Sequence, residues 1–199
     1  PEGTTATFDE AGDLTLPPGT LLVKEFYQGH WRLETRFLAQ LPDGSWNSYT
    51  YRWNDDQSDA QLVAEPTLDG GWLFPSSTQC QQCHTGAAGH SLGLELPQLD
   101  RTIEIRGEQV GQLDRWRALG WLPETLPSLP AMRPIDGDEE EDVSEETRIR
   151  DYLHANCSHC HRPGNVSRAQ LDLRRQTPLA MTGLCDAPHA EAFGVAHII

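Results

Sequence analysis

Basic charge is scarce in this chain. Lys and Arg together number 15 against 30 Asp and Glu, a formal charge of −15, and Lys24 is the one lysine. Nucleic-acid binding needs a basic footprint, so that class is excluded. Long apolar runs are absent as well: nothing approaches the roughly 18 residues that span a bilayer as a helix. Hydrophobic residues make up 37% of 199, a thin core for one large domain or two small ones. Methionine is nearly missing, with Met132 and Met181 the two present, so any thioether ligand must be one of them. Glycine (17) and proline (14) are plentiful, which commits much of the chain to turns and loops. The chain opens at Pro1 on a polar stretch, which fits either a cytosolic protein or a mature chain whose leader has been removed.

The five cysteines are not scattered. Four form two C-x-x-C pairs, each followed at once by histidine: Cys80-Gln81-Gln82-Cys83-His84 and Cys157-Ser158-His159-Cys160-His161. C-x-x-C-H is the attachment pattern of c-type haem. Thiols three positions apart share one side of a helical turn and reach the two vinyl groups of one porphyrin. The next residue then turns its imidazole to the iron. A redox disulfide usually sits in a βαβ context, which this sequence does not show. A Cys₄ zinc site built from both pairs would span a far longer interval than a ribbon or knuckle uses, and zinc needs no histidine after each pair. The expectation is two covalently bound haem c groups, with Cys80, Cys83, Cys157 and Cys160 as thioether donors and His84 and His161 as proximal iron ligands. Thioether-linked haem is made outside the cytoplasmic membrane, so the chain is expected to be exported, periplasmic or extracellular. Cys185 is left over, either a buried thiol or one paired with a partner outside this chain.

Along the chain, residues 1–20 read as a polar, extended lead-in. Leu21 to Tyr27, the alternation of Leu33, Phe37 and Leu41, and that of Tyr49, Tyr51 and Trp53 predict an antiparallel meander over 21–53. Pro42-Asp43-Gly44-Ser45 is a turn within it, and its aromatic face is expected to pack as core. Val110, Leu113 and Trp116 predict a helix over 107–119 that ends at Gly120. Prolines 123, 127, 130 and 134 and the acidic run 136–142 mark a solvated linker. Asp142 or Ser144 caps the next helix, with Glu145 and Glu146 in its first turn and an apolar stripe of Ile149, Tyr152, Leu153 and Cys157. That helix delivers the second motif, and Arg162-Pro163-Gly164-Asn165 ends it in a turn. The division is therefore a β-rich region with the first haem over 1–122, a Pro/acidic linker over 123–143, and a segment with the second haem over 144–199.

The sixth iron ligands are less determined. Met132, in the Pro-flanked run Leu129-Pro130-Ala131-Met132-Arg133-Pro134, is the first candidate for haem 1, with His90 or His30 next. For haem 2 the candidates are Met181, His189 and His197. His154 is badly placed for the far face of a haem held by its own helix, and His159 is expected to face solvent.

Three runs carry a family resemblance. They are Tyr49-Thr50-Tyr51-Arg52-Trp53-Asn54-Asp55, Phe74-Pro75-Ser76 leading into Cys80, and Tyr152-Leu153-His154-Ala155-Asn156-Cys157-Ser158-His159-Cys160-His161-Arg162-Pro163-Gly164. Together they resemble a family of exported bacterial diheme c-type cytochromes. The resemblance implies an α+β fold: an N-terminal antiparallel β meander with a haem-binding loop and helix region, then a loop-rich, mainly α cytochrome-c-like segment. Members of that family continue to a Met-Pro-Pro run that supplies the second haem's methionine. Here the sequence stops at Val195-Ala196-His197-Ile198-Ile199, so it is either a shorter member with another distal ligand or a fragment. The function expected is one-electron transfer rather than enzyme catalysis, as a carrier or a subunit of a larger redox assembly. Redox proteins with basic surfaces are the expected partners, drawn by the −15 charge. The alternative is a diheme peroxidase.

Overall fold

The computed structural model describes residues 1–132, 143–165 and 170–186. The acidic run 136–142 with the Asp142 cap, His189, His197 and the terminal 195–199 lie outside the described residues. Secondary structure is mixed, with antiparallel sheets and few helices. Among the described residues no helix is long and apolar enough to cross a membrane.

The lead-in does more than lead in. It forms a small hairpin, β1 (Thr7–Phe8) against β2 (Leu14–Thr15), and buries Ala6 and Leu14. These two join Leu96, Leu99, Leu113 and Leu122 in the apolar core, with Leu126 and Leu129 packed against it. The first part of the expected linker is thus a packed strap, because its leucines find the core that the polar lead-in opens. Ala6 N–H donates to the Trp121 carbonyl at 2.9 Å and Leu96 N–H to the Gly12 carbonyl at 2.8 Å, which pins the N-terminus across the strap and α2 (Leu96–Leu99).

The meander is present as expected: β3 (Leu21–Gln28), β4 (Trp31–Gln40) and β5 (Trp46–Trp53) pair antiparallel in order, and β6 (Ala60–Leu62) adds a fourth strand. Asp43 makes the β4–β5 turn by accepting the Ser45 N–H at 3.0 Å and its hydroxyl at 2.7 Å, and Gly44 takes the left-handed backbone (φ +84°) that a side chain disfavours. The expected aromatic face is covered only in part: Leu33, Phe37, Tyr51 and Trp53 are half-buried, whereas Leu21, Val23, Tyr27, Tyr49 and Leu62 are exposed, and the more deeply covered side carries Glu34, Leu38, Ser48 and Thr50. Alternation revealed two faces but not which would be covered. The polar face is covered because β7 (Thr67–Asp69), β8 (Trp72–Phe74) and α1 (Ser77–Cys80) fold back toward it. Glu34 is fully buried there, paired with Arg36 and accepting the Trp72 indole N–H at 2.9 Å, so the buried charge is neutralised and hydrogen-bonded.

The helix expected over 107–119 is split. β9 (Thr102–Ile105) and β10 (Glu108–Gly111) form a hairpin, and α3 (Gln112–Ala118) starts only after it. The reason is the Arg106-Gly107 turn, where both residues have positive φ (53° and 84°), the geometry of a two-residue hairpin loop. Gly120 follows α3 in the left-handed conformation, as its position predicts.

After the strap comes α4 (Glu145–Cys157), capped by Ser144, whose side-chain oxygen accepts the Thr147 N–H. Its orientation reverses the expected stripe. The buried side is Arg150, Asp151, His154 and Ser158, whereas Ile149 and Tyr152 are each 45% exposed. In the described part of the 144–199 segment α4 is joined by one 3-10 turn, Leu179–Met181, and by loops.

Candidate functional site

Both cysteine motifs adopt one local geometry. In the first, the Cys83 and His84 N–H groups both donate to the Cys80 carbonyl, at 3.2 and 3.0 Å. In the second, Cys160 and His161 do the same to Cys157, at 3.0 and 2.9 Å. The chain enters each turn from a helix, α1 or α4, so each pair of thiols sits on one helical turn and the histidine leaves its end. All four thiols are free and half-buried. Burial pushes the Cys80 thiol up, and Ser48 and Thr50 of β5 face it. Gln81 donates to the Ser48 hydroxyl at 2.9 Å, holding the first turn on the sheet.

The His84 ring is oriented by its own loop. Its Nδ1 meets the His90 carbonyl, which can only accept, so Nδ1 carries the proton and Nε2 the lone pair. Burial holds the ring's pKa below the ordinary histidine value, which favours the neutral imidazole that a metal requires. His90 completes the arrangement: its backbone is left-handed (φ 57°), its Nδ1 donates to the His84 carbonyl at 3.1 Å, and its ring stacks on Trp46 at 5.5 Å. His90 therefore braces His84 from within the same loop.

His154 is also committed. Its Nδ1 accepts the Arg175 N–H at 2.8 Å, so the ring proton is on Nε2 and is donated to Glu95. With both nitrogens hydrogen-bonded, His154 ties α4 to Glu95 and to the Arg175 backbone. Glu95 is the hub: it takes that bond, lies 3.6 Å from the Arg162 guanidinium, and accepts from Gln98 at 3.1 Å. Burial opposes its ionisation, but the His154 hydrogen bond and the Arg162 charge outweigh that and hold its carboxyl below the usual range. Burial and the Glu95 carboxylate raise the neighbouring Asp13.

The loop after the second motif is fastened to α4. Arg150 donates to the carbonyls of Arg174, Arg175 and Thr177, and Arg175 pairs with Asp151 at 2.9 Å and donates to the Pro130 carbonyl at 2.8 Å. Leu173 N–H donates to the His161 carbonyl at 2.9 Å. Arg174 grips Asp172 with two bonds, of 2.8 and 2.6 Å, and that hydrogen bonding holds the Asp172 carboxyl at about 2. Because the folded value lies below the unfolded value of about 3.9, this contribution to stability is complete above pH ~4 and is lost as pH falls through about 2. An NMR titration of Asp172 is expected to show its midpoint near 2, and Asp172→Asn to flatten that part of the acid-unfolding curve. An ordinary midpoint would refute the clamp.

The remaining candidates fall as follows. Met132 lines a 260 Å³ cavity with Glu95, Leu129, His154 and Arg175, so it stands beside α4, and no residue of the first motif lines that cavity. Met181 is 72% exposed on the 3-10 turn. His30 is exposed in the β3–β4 turn, and Cys185 is exposed rather than buried. His159, expected at the surface, is half-buried, and its pKa is lowered chiefly by burial.

Among the described residues no group of three or more His, Cys, Asp or Glu is placed to hold a metal ion, although the Cys83 and Cys160 thiols are neighbours. Thioether attachment asks less of each site: one thiol pair and one oriented imidazole. Ile149 and Tyr152 lie on the outward side of α4, the helix that ends at Cys157. Sequence reasoning missed Glu95, Arg150, Asp151, Arg162 and Arg175. Isolated charged residues in an acidic, polar chain carry no spacing signal, and tertiary pairing alone singles them out.

No family model, no curated protein and no solved structure matches this chain.

Proposed function

We propose that this protein is a diheme c-type cytochrome that transfers single electrons, as a carrier or as a subunit of a larger redox assembly. The observation that carries the reading is the repeated C-x-x-C-H turn, formed twice with the same backbone hydrogen bonds, together with the His84 ring held by its Nδ1 so that Nε2 is the coordinating nitrogen. Cys80, Cys83, Cys157 and Cys160 would hold two haem c groups, and His84 and His161 would be the proximal ligands. Met132 and Met181 are the candidates for the opposite faces. When bound, each haem supplies an iron that cycles between ferric and ferrous states.

The chain's own part is to bind, orient and shield. The paired thiols fix each group, the His90 carbonyl sets the tautomer of His84, and the Glu95–His154 bond anchors α4 behind the second turn. On this reading residues 144–199 form a cytochrome-c-like unit. Export to the periplasm or beyond follows from where thioethers are made. The −15 charge suits partners with basic surfaces, since opposite potentials accelerate encounter.

Intact mass and a pyridine haemochrome assay test this directly. The expected result is two macrocycles per chain and an α-band of the c type. A colourless preparation carrying zinc overturns the reading. A high-spin ferric form with peroxide turnover moves it to a diheme peroxidase.

A further inference from the structure

The two attachment turns, far apart in sequence, touch. The Cys160 thiol has Cys83 as a hydrogen-bond neighbour. Thr85, directly after His84, donates its hydroxyl to the Asn165 side-chain oxygen at 3.1 Å. Asn165 in turn donates to the His159 carbonyl, inside the second motif. Arg162, directly after His161, donates through Nε to the Ser158 carbonyl at 2.7 Å and through Nη1 to the Ala87 carbonyl at 3.1 Å. Its third nitrogen approaches Glu95 at 3.6 Å, and its side chain is 7% exposed.

A guanidinium is costly to bury unless its donors are matched. Here its planar fork reaches the Ser158 carbonyl and hydroxyl of its own turn, the Glu95 carboxylate and, through Nη1, the Ala87 carbonyl after the first motif, so the Nη1 bond forms only where the two turns are apposed. A thioether puts a porphyrin edge two bonds from its sulfur, through the former vinyl carbon. Neighbouring Cys83 and Cys160 therefore bring one edge of each group to the same place.

We propose that Arg162, with Asn165, is a positioning residue that clamps the two haem-attachment turns together, so that the two haems form one coupled pair rather than two separate centres. This rests on the two-haem reading above. With both groups bound, each would supply an iron that passes between ferric and ferrous states, and the clamp would hold the two close enough to exchange an electron with no bond or proton moved.

The test uses the full holoprotein. Haem is counted by pyridine haemochrome, and circular dichroism is recorded in the Soret band, where two interacting porphyrins give a paired positive and negative signal. Two haems with a two-signed Soret couplet are expected. Arg162→Met is expected to keep both haems and lose the couplet, and Arg162→Lys, which keeps the charge but not the fork, to recover only part of it. Two haems with a single-signed Soret band overturn the coupled pair and leave the cytochrome reading intact. A count below two overturns both. A couplet unchanged in Arg162→Met removes Arg162 from the clamp. If that variant fails to load both haems, Asn165→Ala, which deletes the Thr85 contact and the bond to His159, is measured instead: a weakened couplet supports the clamp and an unchanged one refutes it.

Discussion

Cys157→Ala combined with Cys160→Ala is expected to lower the intact mass by one macrocycle and to strip α4 of its hydrogen-exchange protection, while β3, β4 and β5 keep theirs. The reason is the shortage of apolar packing in this part of the chain. Among the described residues from 143 to 186, Leu173 is the one buried hydrophobic side chain. A fully buried leucine contributes about 1.5–3 kcal/mol, whereas fixing each backbone residue costs roughly 1–2 kcal/mol. Hydrogen bonds on the buried side of α4 offset part of that difference, but each adds only about 1 kcal/mol net. A group welded at Cys157 and Cys160 can cover the outward strip of Ile149 and Tyr152 and supply the missing contact. Native-like protection of the 145–157 amides in the double variant would show that the helix stands without it.

Arg150→Met is expected to destabilise the protein by about 3–5 kcal/mol, read as a shift in denaturant midpoint. Arg150 is buried, and its guanidinium serves the carbonyls of Arg174, Arg175 and Thr177. Methionine matches much of its volume but leaves those acceptors without the donor that now joins them to α4. All three bonds come from one nitrogen, Nη2, so Arg150→Lys, which keeps a charged point donor on a shorter side chain, is expected to recover part of the loss. A loss below about 1 kcal/mol for Arg150→Met would mean that the loop is held to α4 by Arg175, through Asp151 and His154, rather than by Arg150.

The two predictions concern different kinds of knowledge about this chain. The cysteine motifs were legible because their chemistry is local: thiol spacing and the following histidine fit one helical turn, whatever lies around it. The meander over 21–53, the Asp43-Gly44 turn, the Ser144 cap and the Gly120 stop were legible for the same reason. Each depends on hydrogen bonds or backbone preferences spanning a few residues. The helix expected over 107–119 begins only at Gln112, because the Arg106-Gly107 turn, an equally local signal, outweighs the recurrence of Val110, Leu113 and Trp116.

Periodicity marked two faces on the sheet and on α4, yet it could not say which would be covered. In both cases the polar face is the more deeply covered one. Glu34 finds Arg36 and Trp72, and Arg150, Asp151 and His154 find the loop at 172–182 and Glu95. By itself the amino-acid order determined what the site is made of: two thiol pairs, each with its imidazole. Only the tertiary structure decided that the two turns lie against each other, that Arg162 reaches from one to the other, and that Glu95 backs it. Long-range pairing of buried charges depends on which surfaces meet, and no short stretch of sequence contains that information.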